Sequence, residues 1–340
     1  MTVLIITKTD DNECIETVTR AIEARGGRTF RFDTNRFPTE ARLALEYGPG
    51  GGTRGRRLVL EDEGRRFDLE TAGAIWYRRV NVCGRLPKEL EAQMKHACVL
   101  ESKATFSGMM ASLGVYQLNR PIRVRWAGNK ELQLEIAREV GLEIPKTLIT
   151  NDPDSVRAFA ASCPGGVVAK MLSSFAILEE GLEKVVFTNR MTDADLEDLS
   201  GLDLSPMTFQ EAVEKKLELR VTIVGHRIFT ASIDSQALAR AKVDWRREGV
   251  ALIDEWKEYE LPAGIGDKLF RLMDRLGLDY GAIDFIVTPE GTHVFLEINP
   301  AGEFFWLEKT PGFPISDAIA EALLEPKARR SAGGAAELLI

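Results

Sequence analysis

The sequence predicts a mixed protein, α/β with α+β character, of two or three domains sharing a cleft. The chain opens on a strand, helix, strand pattern between residues 3 and 33, and its last third alternates strands and helices up to about residue 325. Within that last third, residues 281–298 form an apolar hairpin carrying acidic residues on one face. At 340 residues and 44% hydrophobic composition, the chain has ample core for more than one domain.

Taken in order, Val3-Leu4-Ile5-Ile6-Thr7 is a short β-branched run that reads as a buried strand, and a helical pattern follows from about residue 13 to 25, ended by Gly26-Gly27. Residues 29–33 make the return strand. The first turn lacks GxGxxG, so this unit is not read as a nucleotide fold. Residues 47–57 are rich in glycine and arginine, but the Lys-Ser/Thr of a phosphate loop is missing and Leu58-Val59-Leu60 begins a strand, so a hairpin connection is expected. A strand over residues 74–79 leads to a long helix ending near 113. Asn119-Arg120-Pro121 breaks the pattern and sets a first boundary near residue 118. Then come a helix over 130–140 closed by Gly141, a strand over 144–150, a helix over 155–161, and strands over 167–171 and 185–189 flanking a loop. The expected units are 1–118, 119–205 and 206–325, with a flexible tail over 326–340.

A net charge of −8 disfavours a broad nucleic-acid surface. Cys14, Cys83, Cys98 and Cys163 are scattered without a CxxC pair, and the three histidines fall at no ligand spacing to them, which argues against zinc and against a disulfide framework. No stretch is long and apolar enough for a membrane span or a signal sequence, so a cytoplasmic protein with reduced thiols is expected, with no membrane partner.

The chemistry concentrates on the hairpin. Thr288-Pro289-Glu290-Gly291 has proline and glycine where a type I turn wants them. With Val287 opposite Thr292, Asp284 faces Phe295, and Glu297 and Asn299 share its face, while Ile283, Phe285, Val287, Leu296 and Ile298 point into a core. Two carboxylates together repel unless they share a cation, and an all-oxygen donor set suits Mg²⁺ bound jointly with phosphates. The alternative is a pair of rim carboxylates held by Lys or Arg. Lys130 opens a helix, where free amides favour phosphate, and Lys170 sits in an apolar strand. The loop over 173–181 could fold over a triphosphate. Gln210-Glu211-Ala212-Val213-Glu214 precedes a strand on which Glu218 and Arg220 alternate outward, offering a backbone edge for adenine, a carboxylate for ribose and a guanidinium for phosphate.

The ordered set Asn129-Lys130, Ala169-Lys170, Gln210-Glu211-Ala212-Val213, Glu218-Leu219-Arg220, Asp284-Phe285 and Glu297-Ile298-Asn299-Pro300 resembles the ATP-grasp superfamily, in particular its branch of ribosomal-protein-S6-glutamate-ligase type. Trp76-Tyr77-Arg78-Arg79 and the stretch from Asn129 to Thr150 resemble, more narrowly, the graspetide ligases, microviridin-type macrocyclases. The resemblance implies an ATP-grasp fold with an N-terminal pre-ATP-grasp domain and the nucleotide held between central and C-terminal units. It implies ATP and Mg²⁺ as cofactors: Lys130 and Lys170 on phosphates, residues 211–214 on adenine, Glu218 on ribose, and Asp284, Glu297 and Asn299 on Mg²⁺. Arg220 would stand near the transferred phosphoryl group, with Arg246 a further candidate near the acyl phosphate. The implied substrate is a ribosomal precursor peptide, a leader plus a Thr/Glu-rich core, whose Glu or Asp carboxylate is phosphorylated and then attacked by Thr or Ser to give an ester, or by Lys to give an amide. The leader would lie near residues 189–195, where Arg190, Asp193 and Asp195 are polar, and Arg78 and Arg79 would line a domain interface. A ligase of free small acids and a non-catalytic nucleotide-binding regulator are the competing readings, and a homodimer stays open.

Overall fold

The structure is a computed structural model that describes residues 1–49, 55–170, 176–179, 182–185, 188–235 and 253–330. The N-terminal unit runs β1 (Thr2–Thr7), α1 (Cys14–Ala24), β2 (Arg28–Asp33), β3 (Arg42–Tyr47), β4 (Arg56–Asp62), β5 (Arg65–Asp68), β6 (Ala72–Tyr77), α2 (Ala92–Ser112) and β7 (Tyr116–Leu118). Its main sheet has the order β2-β1-β6-β7 with parallel neighbours, as a strand, helix, strand opening requires. Cys14, Ile15, Val18 and Ile22 recur at helical spacing and bury one face of α1, and Gly26 closes the helix in the left-handed region at φ 77°. The glycine- and arginine-rich segment is the hairpin connection expected, with Tyr47 paired to Arg56, although residues 50–54 lie outside the described residues.

The next stretch contains α3 (Pro121–Ala127), α4 (Lys130–Glu139), β8 (Thr147–Thr150), α5 (Pro153–Ala161), β9 (Val167–Lys170), β10 (Ala176–Glu179), β11 (Leu182–Val185), β12 (Asn189–Arg190), α6 (Asp193–Glu197) and β13 (Met207–Glu211). An antiparallel sheet of order β12-β9-β13-β8 closes a small core of Val156, Cys163, Val167, Leu202 and Phe209. Within the loop expected over 173–181, residues 176–179 form β10, which pairs antiparallel with β11, Ala176 opposite Val185, and residues 173–175 and 180–181 lie outside the described residues. The expected strand over 185–189 is accordingly split between the end of β11 and the start of β12. Two short runs separated by a glycine-containing connection are a hairpin signature, and the apolar Ala176-Ile177-Leu178 carried it.

The C-terminal unit holds β14 (Leu217–Val224), β15 (Arg227–Ile233), β16 (Lys257–Glu258), α7 (Ala263–Leu276), β17 (Tyr280–Val287), β18 (His293–Asn299), α8 (Phe305–Lys309) and α9 (Ile315–Leu324). Its antiparallel sheet has the order β16-β15-β14-β17-β18. One face buries Leu219, Val221, Ile283, Phe285, Phe295 and Ile298 against Leu269, Leu272 and Met273 of α7 and Ile136 and Ala137 of α4. Each such side chain contributes about 1.5 to 3 kcal/mol. Helix α4, placed by the sequence reading in the central unit, thus packs into the C-terminal core. Helix α9 covers α1 and joins the N-terminal core through Ile319, Ala322 and Leu323.

Asn119 locks these units together. Its Nδ2 donates to the carbonyls of Tyr280 (2.8 Å) and Pro300 (2.9 Å), and its Oδ1 accepts from the amides of Asp279 (2.9 Å) and Tyr280 (3.0 Å). The side chain is buried, so Asn119→Ala would strand these backbone groups, and a loss of about 2 to 4 kcal/mol in denaturant titration is the expected result. Of the flexible tail expected over 326–340, residues 326–330 are described and packed. Pro326–Ala328 forms a short 3₁₀ turn, the Arg329 guanidinium lies 3.8 Å from the Tyr116 ring centroid, and Arg330 pairs with Asp274 at 2.6 Å. Residues 331–340 lie outside the described residues.

Candidate active site

The hairpin β17–β18 departs from the register expected for it. Val287 pairs with His293 and Phe285 with Phe295, and a bulge then shifts the ladder so that Asp284 stands directly opposite Glu297 and Ala282 opposite Asn299. The extra residue is Leu296. A bulge changes the parity of alternation, which lets Phe295 and Ile298 share the core face and leaves Leu296 only half-buried. The expected pairing of Asp284 with Phe295 and the core position of Leu296 are therefore corrected. Asp284 and Glu297 sit closer than a diagonal pair.

Cations surround this pair. Lys130 Nζ, at the first residue of α4, lies 2.7 Å from Glu297 Oε2, and Asn299 Nδ2 donates to Glu297 Oε1 at 3.2 Å. Burial pushes the Glu297 carboxyl up, but Lys130, then Lys170 and Asn299, override it and hold the group at about 2. Lys170, at the end of β9, thus acts on the same carboxylate through its charge, while Lys130 holds it in a direct ion pair. The linkage has a definite sign: the ion pair stabilises the fold fully above the ordinary value of 4.5 and is lost as pH falls through about 2. Lys130→Ala is expected to move the Glu297 titration midpoint upward, observable by carbon NMR of the carboxyl.

Arg220 donates from Nη1 to Asp284 Oδ1 (2.9 Å) and from Nη2 to the carbonyl of Glu303 (3.0 Å), with its guanidinium over the Trp306 ring at 5.6 Å. Its Nε is buried with no hydrogen-bond partner among the described residues, an orphaned donor that suits an anion. Burial opposes the charge of Arg220, and Asp284 overrides it, so the guanidinium stays charged. Glu218 and Arg220 do not face outward as expected. They are 6% and 5% exposed, because β14 is an inner strand covered on both faces. Glu218 pairs with Lys215 at 3.1 Å, and burial pushes its carboxyl up against that cation.

The segment following β13 joins the two sheets. Glu211 and Ala212 donate their amides to the carbonyls of Lys146 (3.0 Å) and Gly166 (2.9 Å), so part of the edge expected for adenine is already occupied. Val213 and Glu214 make no backbone amide bond among the described residues. Gln210 is buried, donates to Thr147 Oγ1 at 2.9 Å, and keeps an unpartnered carbonyl oxygen.

Sequence reasoning missed Asp11 and Glu303. Arg78, buried at the end of β6, donates to Asp11 (3.0 Å), Asn12 (3.1 Å) and the Glu303 carboxylate (2.6 Å), which Arg79 also meets. This places Arg78 and Arg79 at the junction of N- and C-terminal units, on the carboxylate of Glu303, whose carbonyl Arg220 meets. Asp10-Asp11-Asn12 looked like an ordinary turn, and nothing local in the sequence separates the two readings.

Not every expected site residue is gathered here. Arg190, Asp193 and Asp195 are exposed on β12 and α6, and Arg246 lies outside the described residues. Among the described residues no three His, Cys, Asp or Glu side chains cluster as a metal site. Asp284 and Glu297, with Asn299, offer an oxygen-only set whose remaining ligands would come from phosphate and water, and this donor chemistry fits Mg²⁺. No described helix is long and apolar enough to cross a membrane.

A model of the MvdD pre-ATP-grasp domain matches residues 2–125. Among solved structures, the macrocyclase MdnC from Microcystis aeruginosa MRC, bound with precursor peptide MdnA, is 45% identical with a TM-score of 0.87, over 96% of this chain and 99% of that one. A RiPP-associated ATP-grasp ligase from Chryseobacterium gregarium, in complex with ADP and a leader and core peptide, is 40% identical with a TM-score of 0.89, over 95% and 96% of the two chains. Among curated proteins, a probable alpha-L-glutamate ligase from Enterobacter sp. (strain 638) is 27% identical over 225 residues, 63% of this chain and 71% of that protein. The chain belongs to the family of RiPP-associated ATP-grasp ligases and is an ATP-dependent ligase with an N-terminal pre-ATP-grasp domain.

Proposed function

We propose that this ligase phosphorylates Glu or Asp side chains of a ribosomal precursor peptide and closes macrocyclic esters with Thr or Ser hydroxyls, or amides with Lys amines. The observation that carries the reading is the Lys130–Glu297 ion pair set directly opposite the Arg220–Asp284 pair on the acidic hairpin. A carboxylate is a poor electrophile, and moving a phosphoryl group onto it needs charge neutralised along the triphosphate rather than a protein nucleophile. The γ-phosphoryl group passes to the peptide carboxylate and ADP departs. The hydroxyl oxygen or amine nitrogen then attacks the acyl carbon, phosphate leaves, and the nucleophile loses its proton, a net loss of one water per linkage.

In this reading Lys130 and Lys170 hold phosphates, Arg220 with its orphaned Nε meets the transferred group, Val213 and Glu214 border adenine, and Glu218 reaches ribose. Asp284, Glu297 and Asn299 would hold Mg²⁺, which when bound draws charge from the phosphates. The units 1–118, 119–205 and 206–325 frame the cleft, and the exposed stretch of residues 189–195 is where a leader would dock. The family member bound with precursor peptide MdnA supports this substrate class. The glutamate-ligase relative favours a second reading, transfer of a free acid, with the same ATP residues. ADP release stimulated by a leader-bearing Thr/Glu-rich peptide supports the first; release with free glutamate alone supports the second.

A further inference from the structure

Strand β18 is an edge strand, and the outward backbone groups of such a strand need partners. They find them from outside the sheet. The carbonyl of Glu143 accepts from the Phe295 amide (2.8 Å), and Asn119 donates to the Pro300 carbonyl (2.9 Å). Between them, Gln133 of α4 donates to the Ile298 carbonyl (2.9 Å) and accepts from the Ile298 amide (3.0 Å), with a further bond to the Ala127 carbonyl (2.6 Å). Gln133 is 1% exposed. Its amide thus stands where a sixth strand would pair.

We propose that Gln133 is a positioning residue that fixes α4 on the acidic hairpin and so sets Lys130 against Glu297; the proposal rests on reading these two as phosphate and metal residues. Ile298 lies between Glu297 and Asn299, and Lys130 lies one turn before Gln133. The apolar contacts of Ile136 and Ala137 with the same sheet are non-directional and do not fix an ammonium to a carboxylate. Of glutamine, glutamate and methionine, only the amide both donates to the carbonyl and accepts from the amide of one residue; an ionised carboxylate accepts only, and the methionine sulfur is at most a weak acceptor.

The test is calorimetric titration of the purified chain with ADP and Mg²⁺. Gln133→Met is expected to weaken binding about tenfold, yet by less than about twofold when Lys130 is already alanine, because residues acting through one contact are non-additive. Parent-like affinity in Gln133→Met, or the same loss in both backgrounds, overturns the proposal. Parent-like affinity in Lys130→Ala alone would instead remove the reading of the site on which it stands. Should Gln133→Met fail to fold, Gln133→Glu keeps the acceptor for the Ile298 amide and is expected to bind with intermediate affinity, while parent-like affinity there also overturns it.

Discussion

Glu297→Gln is expected to reduce ATP-dependent ligation by about a thousandfold while the chain stays folded, because it removes the charge that pairs with Lys130 and would meet the proposed Mg²⁺. The substitution is nearly isosteric, but an amide nitrogen then faces the Lys130 ammonium or a metal. Loss of the ion pair with Lys130 costs about 1 kcal/mol, since Glu297 retains 29% side-chain exposure and solvent screens it. Circular dichroism and thermal melting should therefore change little. Steady-state ADP release with a competent peptide reads the effect, and a turnover within a factor of a few of the parent would remove Glu297 from the site.

Arg220→Lys should separate charge from geometry. Lysine keeps the positive charge beside Asp284 but cannot also reach the Glu303 carbonyl or present the buried Nε. A fall of about a hundredfold or more in kcat is expected, with a smaller change in KM for ATP, if this guanidinium acts on the group in transfer. Arg220→Ala goes further. It leaves Asp284 beside Glu297 without its guanidinium, and breaking a buried pair from one side costs about 3 to 5 kcal/mol. An Arg220→Lys enzyme with parental kcat would place the phosphoryl group elsewhere.

The acidic hairpin was legible because its signals are local: alternation, a proline–glycine turn, and carboxylates out of place among apolar neighbours. Its register was not. Whether a chain inserts a bulge depends on which residues the core takes in, and Phe295 joins the core that α7 covers. Glu218 and Arg220 were read as outward for a related reason. Alternation tells two faces apart, but it does not reveal that both faces of an inner strand are covered. Asn119 and Gln133 escaped notice as a polar break and a helix residue, since their backbone partners lie about 160 residues away in sequence. The β10–β11 hairpin was a missed local signal, obscured by the expectation of a loop.

Intact-mass analysis of a leader-bearing, Thr/Glu-rich precursor peptide incubated with this protein, ATP and Mg²⁺ addresses the proposed chemistry most directly. Successive losses of one water, absent without ATP and absent with Glu297→Gln, are the expected result. ADP formation with the peptide mass unchanged, or addition of a free amino acid in place of water loss, would contradict it.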